Sequence, residues 1–367
     1  MKATITKLII LTVMSLGLPL FGVILTNKPI DRYLEFPPRT LYVQHKPFSW
    51  VAFLCYSLFI LVVIVPSVIH GMKGRDEEKA GSSSLYPFPW WGWVGILCGI
   101  MAWIVAWSRY DWFSSFQAHT FTPLWIAYII TTNALTFSRT GHCMLVDRTR
   151  FFLLLFPVSA AFWWCFEYLN RFVQNWHYTG ADFGPWEYFL YATLPFSTVL
   201  PAVLGTREWL LCLSWPAKKF QNFIPIRVSH PKVVALVLFL ATGIGLACIG
   251  VRPNYLFPLL WISPLMIIVS LTALFGERHI FSDITRGDWH IIVSSAVAAL
   301  ICGFFWEMWN YHSLAKWRYT VPFVQRFHVF EMPILGYAGY LPFGLECAVI
   351  SDILLKRDEK PYRFQTL

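Results

Sequence analysis

The run His290-Ile-Ile-Val-Ser-Ser-Ala-Val-Ala-Ala-Leu-Ile-Cys-Gly-Phe-Phe-Trp-Glu307-Met-Trp-Asn310 decides the architecture of this chain. A bilayer needs about 20 predominantly apolar residues per helical crossing, and this run supplies them before closing on a glutamate and an asparagine. Three residues apart, Glu307 and Asn310 share one helix face. A polar pair in that setting costs free energy unless it is paired or used. The same device closes the run 151–169, as Glu167-x-x-Asn170, and each copy is followed by a Trp-x-Tyr pair, Trp176-His-Tyr178 and Trp317-Arg-Tyr319. The flanks repeat in the same order. Pro123-Leu-Trp125 precedes the first copy and Pro258-Leu-Leu-Trp261 the second, His142 and His279 stand between, and Pro201 and Glu208 correspond loosely to Pro342 and Glu346. Ordered landmarks of this kind point to a tandem repeat.

Working outward, 57% hydrophobic and 13% charged residues, with a mean hydropathy of +0.54, exclude an ordinary soluble globule. Ten apolar runs are candidate spans, near 7–26, 49–70, 90–107, 121–138, 151–169, 187–205, 232–250, 257–275, 290–309 and 333–354. They are continuous and not alternating, which excludes a membrane β-barrel and predicts an all-α polytopic membrane protein. The first run follows Lys2 and Lys7, is long, and has no small-residue cleavage site before Thr26-Asn27-Lys28, so it reads as a retained anchor.

With ten spans and a cytoplasmic N terminus, the termini and even-numbered loops hold 19 of the 29 lysines and arginines. The positive-inside rule therefore predicts both termini in the cytoplasm of a bacterial-type inner membrane. The formal charge of +9 follows from this bias and suits contact with anionic lipid. The basic residues are dispersed and no nucleic-acid-binding motif accompanies them, so no nucleic-acid partner is expected.

The expected organisation is a two-helix extension (1–89), a first four-helix unit (90–215) and a second with a cytoplasmic tail (216–367). Four helices is an even number, so both units enter the membrane in the same sense and a pseudo-twofold along its normal would relate them. Gly71–Ser84, with Asp76-Glu77-Glu78, reads as a cytoplasmic loop, and 27–50, with Pro37-Pro38, as an external cap.

Cysteines carry little. No C-x-x-C occurs, and packed small hydrophobes are the leading reading. There is no H-x-x-H-H, H-E-x-x-H or Asp-rich cluster, so no metal or cofactor is expected. His142 and His279 occupy matching places, where loop or cap hydrogen bonding is favoured over a catalytic role. The glutamates weigh more. Glu167 and Glu307 stand near the external ends of helices 5 and 9, Glu346 inside helix 10 and Glu208 near the cytoplasmic end of helix 6. A carboxyl group among Phe and Trp is costly to ionise and can serve as an acid. Against this stands a clamp, in which each Glu and Asn hydrogen-bonds neighbouring helices. The Trp-x-Tyr pairs also serve as interfacial anchors.

The stretch Trp306-Glu-Met-Trp-Asn310-Tyr311, then Trp317-Arg-Tyr319, then Gly336-Tyr337-x-x-Tyr-Leu-Pro342-Phe-Gly-Leu-Glu346 resembles the membrane-embedded lycopene cyclase domain of bacteria, archaea and fungi. That resemblance implies an all-helical carotenoid-processing enzyme of two homologous halves, in which an acid protonates a polyene end and the cation closes a ring without redox change. Asn310, Trp317, Tyr319, Pro342 and Glu346 match its pattern, with Asn170, Trp176 and Tyr178 as first-half counterparts. The family's paired acids are here a single Glu346.

The expected function is acid–base chemistry on an isoprenoid or other lipid within the bilayer, as a cyclase-like lyase or isomerase. Glu307, Glu346 and Glu167 are the candidate acids and bases, Asn310 and Asn170 orient, and Trp317, Tyr319, Trp176 and Tyr178 form the wall. Aromatic faces stabilise a desolvated cation by about 2 kcal/mol, and 19 tryptophans are available to line such a chamber. The competing readings are a transporter whose halves rock about a polar centre, and a lipid-handling scaffold or subunit without catalysis.

Overall fold

The computed structural model describes residues 2–72 and 86–355, so the acidic loop after Met72 and the tail after Leu355 lie outside the described residues. The chain is all-α and polytopic. Its ten helical segments are α1 (Thr4–Leu25), α2 (Trp50–Met72), α3 (Trp90–Trp107), α4 (Phe121–Thr140), α5 (Thr149–Val173), α6 (Pro185–Leu211), α7 (Pro231–Cys248), α8 (Pro258–Leu274), α9 (His290–His312) and α10 (Ile334–Leu354). All ten expected runs are helical.

Eight of them are long and apolar enough to cross a membrane. The other two, α4 and α8, are interior. At 17 residues α8 is short. In α4 the apolar pattern is diluted by hydroxyls, but these bond back along the helix, Thr131 Oγ1 to Ala127 O at 2.8 Å and Thr136 Oγ1 to Thr132 O at 3.1 Å, so little polarity faces outward.

Alternate connections gather at opposite ends of the bundle. At one end Lys28 Nζ donates to Gly250 O (2.7 Å), Arg39 to Phe183 O (3.0 Å), Arg109 to His312 O (2.6 Å) and Ser49 N to Phe323 O (2.9 Å). At the other, Tyr86 N donates to Ser138 O (3.2 Å), Trp289 N to Phe220 O (2.7 Å) and Lys7 pairs with Glu277 (2.8 Å). Among the described residues, successive helical segments therefore run in alternating directions between these two ends.

Packing repeats as well. Within 90–211, α3 packs on α4, α4 on α6 and α5 on α6; within 231–354, α7 packs on α8, α8 on α10 and α9 on α10. The central contacts are α6 with α9 and α10. The first helix seals against α7 through Gly22, where a Cβ would stand 1.5 Å from Ala247 O, so the backbones touch. By contrast, α2 sits outside, with no buried residue.

One expected helix is not continuous. The run 187–205 is two helices, Pro185–Phe196 and Val199–Leu211. Pro201 has no N–H to offer the preceding turn, which favours a break. The buried Ser159 of α5 satisfies both broken ends, donating to Phe196 O at 2.6 Å and accepting from Leu200 N at 3.0 Å. The run 333–354 likewise begins as a 3-10 turn, Ile334–Gly339, and α1 contains a π turn, Val13–Gly17.

Candidate functional site

The site begins where α5 and α9 end. Asn170 turns the chain out of α5: its Nδ2 donates to Trp176 O at 2.8 Å and its Oδ1 accepts from Asn175 N at 2.8 Å. Asn310 does the same after α9, donating to Trp317 O at 2.8 Å and accepting from Trp317 N at 2.9 Å. Both side chains are directed to the backbone. These bonds set the strands that follow.

Those strands, β1 (Trp176–Thr179) and β2 (Lys316–Tyr319), form an antiparallel ribbon, an element the sequence reading lacked. Trp176 stands opposite Tyr319, His177 opposite Arg318 and Tyr178 opposite Trp317. Each Trp-x-Tyr thus meets the other in a self-complementary register, as in an isologous interface.

Strand alternation puts the Trp and Tyr of each pair on one face, where they reach back to the helix that precedes them. In the first half Glu167 Oε1 accepts from Tyr178 OH (2.6 Å), Trp176 Nε1 (3.0 Å) and Trp163 Nε1 (3.2 Å). In the second, Glu307 Oε1 accepts from Tyr319 OH (2.7 Å) and Tyr340 OH (2.6 Å), while Trp317 Nε1 donates to Tyr319 OH (2.8 Å). Glu307 is fully buried and its Oε2 has no partner. Burial of the phenols, and then the adjacent carboxyl group, holds Tyr178 and Tyr319 well above the usual tyrosine range, so both act as hydrogen-bond donors.

Sequence reasoning did not single out Trp163 or Tyr340. Each had a signal: Trp163 lies one turn before Glu167, and Gly303, one turn before Glu307, leaves room for the Tyr340 ring. Between the carboxyl groups runs an aromatic bridge, with Trp163 to Trp306 at 6.1 Å, Trp306 to Trp125 at 4.9 Å and Trp306 to Tyr340 at 5.9 Å. Each glutamate is bonded within its own half.

Glu346 is not part of this cluster. It lies six residues beyond Tyr340, about 9 Å along the helix, and its Oε1 accepts from Leu265 N of α8 at 3.2 Å. Glu208 belongs to another group again, accepting from Met144 N (3.2 Å) and Arg148 (2.6 Å). His142 pairs with Asp147 at 2.9 Å, and His279 donates its backbone N–H to Ser282 Oγ at 2.9 Å, so both serve local turns at the end away from the ribbon. Among the described residues, no three His, Cys, Asp or Glu side chains gather as metal ligands.

Comparison with known proteins returns no match to a family model, a curated sequence or a solved structure.

Proposed function

We propose that this integral membrane protein carries out non-redox acid–base chemistry on an isoprenoid or other lipid within the bilayer, with Glu307 as the group that gives and takes the proton. The observation that carries this reading is the division of labour on one carboxyl group. Oε1 is occupied by two phenols, and Oε2 is buried and unpartnered, the oxygen left to hold a proton. Transfer from Oε2 to an alkene carbon would break the O–H bond, form a C–H bond and leave a cation on the neighbouring carbon. The carboxylate, held by Tyr319 and Tyr340, would later take a proton back from carbon. Trp306, Trp163 and Trp125 offer ring faces to the cation.

The resemblance to the lycopene cyclase domain supports this class of reaction. The shared packing pattern and the self-complementary ribbon support two homologous halves, and the lysine and arginine distribution supports an inner membrane with both termini cytoplasmic.

A second reading is favoured by the first-half site. Glu167 Oε1 is saturated by three aromatic donors, which is what a clamp in a lipid-handling scaffold or transporter requires. Comparison of apolar lipid extracts from a deletion strain and a complemented strain identifies the product; Glu307→Gln is then assayed for it. An acid or base should lose on the order of 100-fold in activity, with protein level retained. Full yield from Glu307→Gln would overturn the enzymatic reading, and loss of protein and yield together would establish the clamp.

A further inference from the structure

The Glu307 site leaves one intramembrane acid unused. Glu346 is 1% exposed, Oε1 holds a single backbone N–H and Oε2 has no partner. Its surroundings come from helices whose regular ladders are disturbed. The donor Leu265 follows Pro264, which brings no N–H to α8. Cys165 of α5 interacts with Glu346 and also stands beside Ser15, in the π turn of α1. The Ser263 hydroxyl is buried without a partner too. Irregular backbone of this kind inside spans often marks a binding position.

The two halves differ here in one decisive respect. Glu208, the loose counterpart on α6, also accepts a backbone N–H, but the Arg148 guanidinium neutralises it at 2.6 Å. Among the described residues, Glu346 has no such cation paired with it. The titratable groups facing it are Cys165 from α5 and Cys347 on its own helix; α8 offers backbone and α1 the Ser15 hydroxyl. Cys302 of α9 and Arg207 of α6 adjoin Cys347, and Arg207 acts first on Asp352 and Glu208. An uncompensated carboxylate at this depth costs several kcal/mol.

We propose that Glu346 is a reversible proton-binding site inside the membrane, separate from the Glu307 site and formed where α8, α10, α5 and the π turn of α1 meet. A proton arriving from water binds Oε2 and neutralises the group; its release leaves a carboxylate held only by Leu265 N–H. The second half thus uses an exchangeable proton where the first uses a fixed arginine.

Infrared difference spectra of the full chain in lipid nanodiscs, taken from acid to alkaline pH, test this directly. A protonated-carboxyl band should disappear as pH rises, be absent in Glu346→Gln and persist in Glu307→Gln, so that failure of the Glu307 reading leaves this result standing. Glu346→Asp keeps an acid and should shift the band and its midpoint, which covers the case in which Glu346→Gln does not accumulate. A band unchanged in either Glu346 variant, or one that does not respond to pH while the protein stays folded, would overturn the proposal.

Discussion

Gly303 and Tyr340 are in contact, with a Cβ at position 303 falling 2.4 Å from the Tyr340 ring. That absence of a side chain lets α10 lay its tyrosine against α9 and deliver the hydroxyl to Glu307, one turn further on. Gly303→Ala should therefore displace the ring, cost about 1–3 kcal/mol of stability and act on the site in the same direction as Tyr340→Phe. Thermal unfolding in detergent measures the first effect. An alanine variant as stable as the parent would contradict the contact.

Asn170 and Asn310 each bond the chain that enters a strand, and the two strands pair with each other. Asn170→Ala and Asn310→Ala should each cost about 1–3 kcal/mol. The double variant should lose less than the sum, since either change loosens one shared ribbon. Strict additivity would mean that the ribbon is not a single cooperative unit.

Residues 35–46 strap the ribbon end of the bundle, and their hold should weaken in acid. His45 Nε2 meets Val173 O at 2.8 Å, and burial pushes the His45 imidazole below its ordinary value, the Val173 contact opposing in part. A histidine whose folded pKa is depressed contributes fully above its unfolded value and progressively less as pH falls through 6.5 towards the folded value. Glu35 works in the same sense at lower pH, because the Thr40 backbone N–H, bonded at 2.9 Å, holds its carboxyl below the ordinary range. The protection of amides 39–46 against hydrogen exchange, with the intrinsic pH dependence of amide exchange divided out, should fall on mild acidification, and His45→Gln should flatten that response. An equal response in His45→Gln would assign the effect elsewhere.

The exposed Arg326, in the connection between α9 and α10, should take label from outside the cell when replaced by cysteine, whereas a reporter at the C terminus should read cytoplasmic. Both sites reading on the same side would be incompatible with an odd number of crossings between the connection and the terminus.

The sequence by itself located the helical runs, eight of which are long and apolar enough to cross a membrane, because burial in lipid is a property of each run taken alone and needs no partner. It also marked Glu167, Asn170, Glu307 and Asn310, since polar groups inside such runs stand out against an apolar background. Only the tertiary structure decided what they do. Whether an asparagine faces a ligand or its own backbone depends on the turn after the helix, and the strands at Trp176–Thr179 and Lys316–Tyr319 exist only because each has the other to pair with. Contacts across long separations were likewise illegible: Tyr340 reaches Glu307 because α10 folds back on α9, and Glu346 leaves the cluster because its side of α10 meets α8. The break at Ser197-Thr198 is stable because Ser159, on another helix, supplies the hydrogen bonds that the broken turns lack.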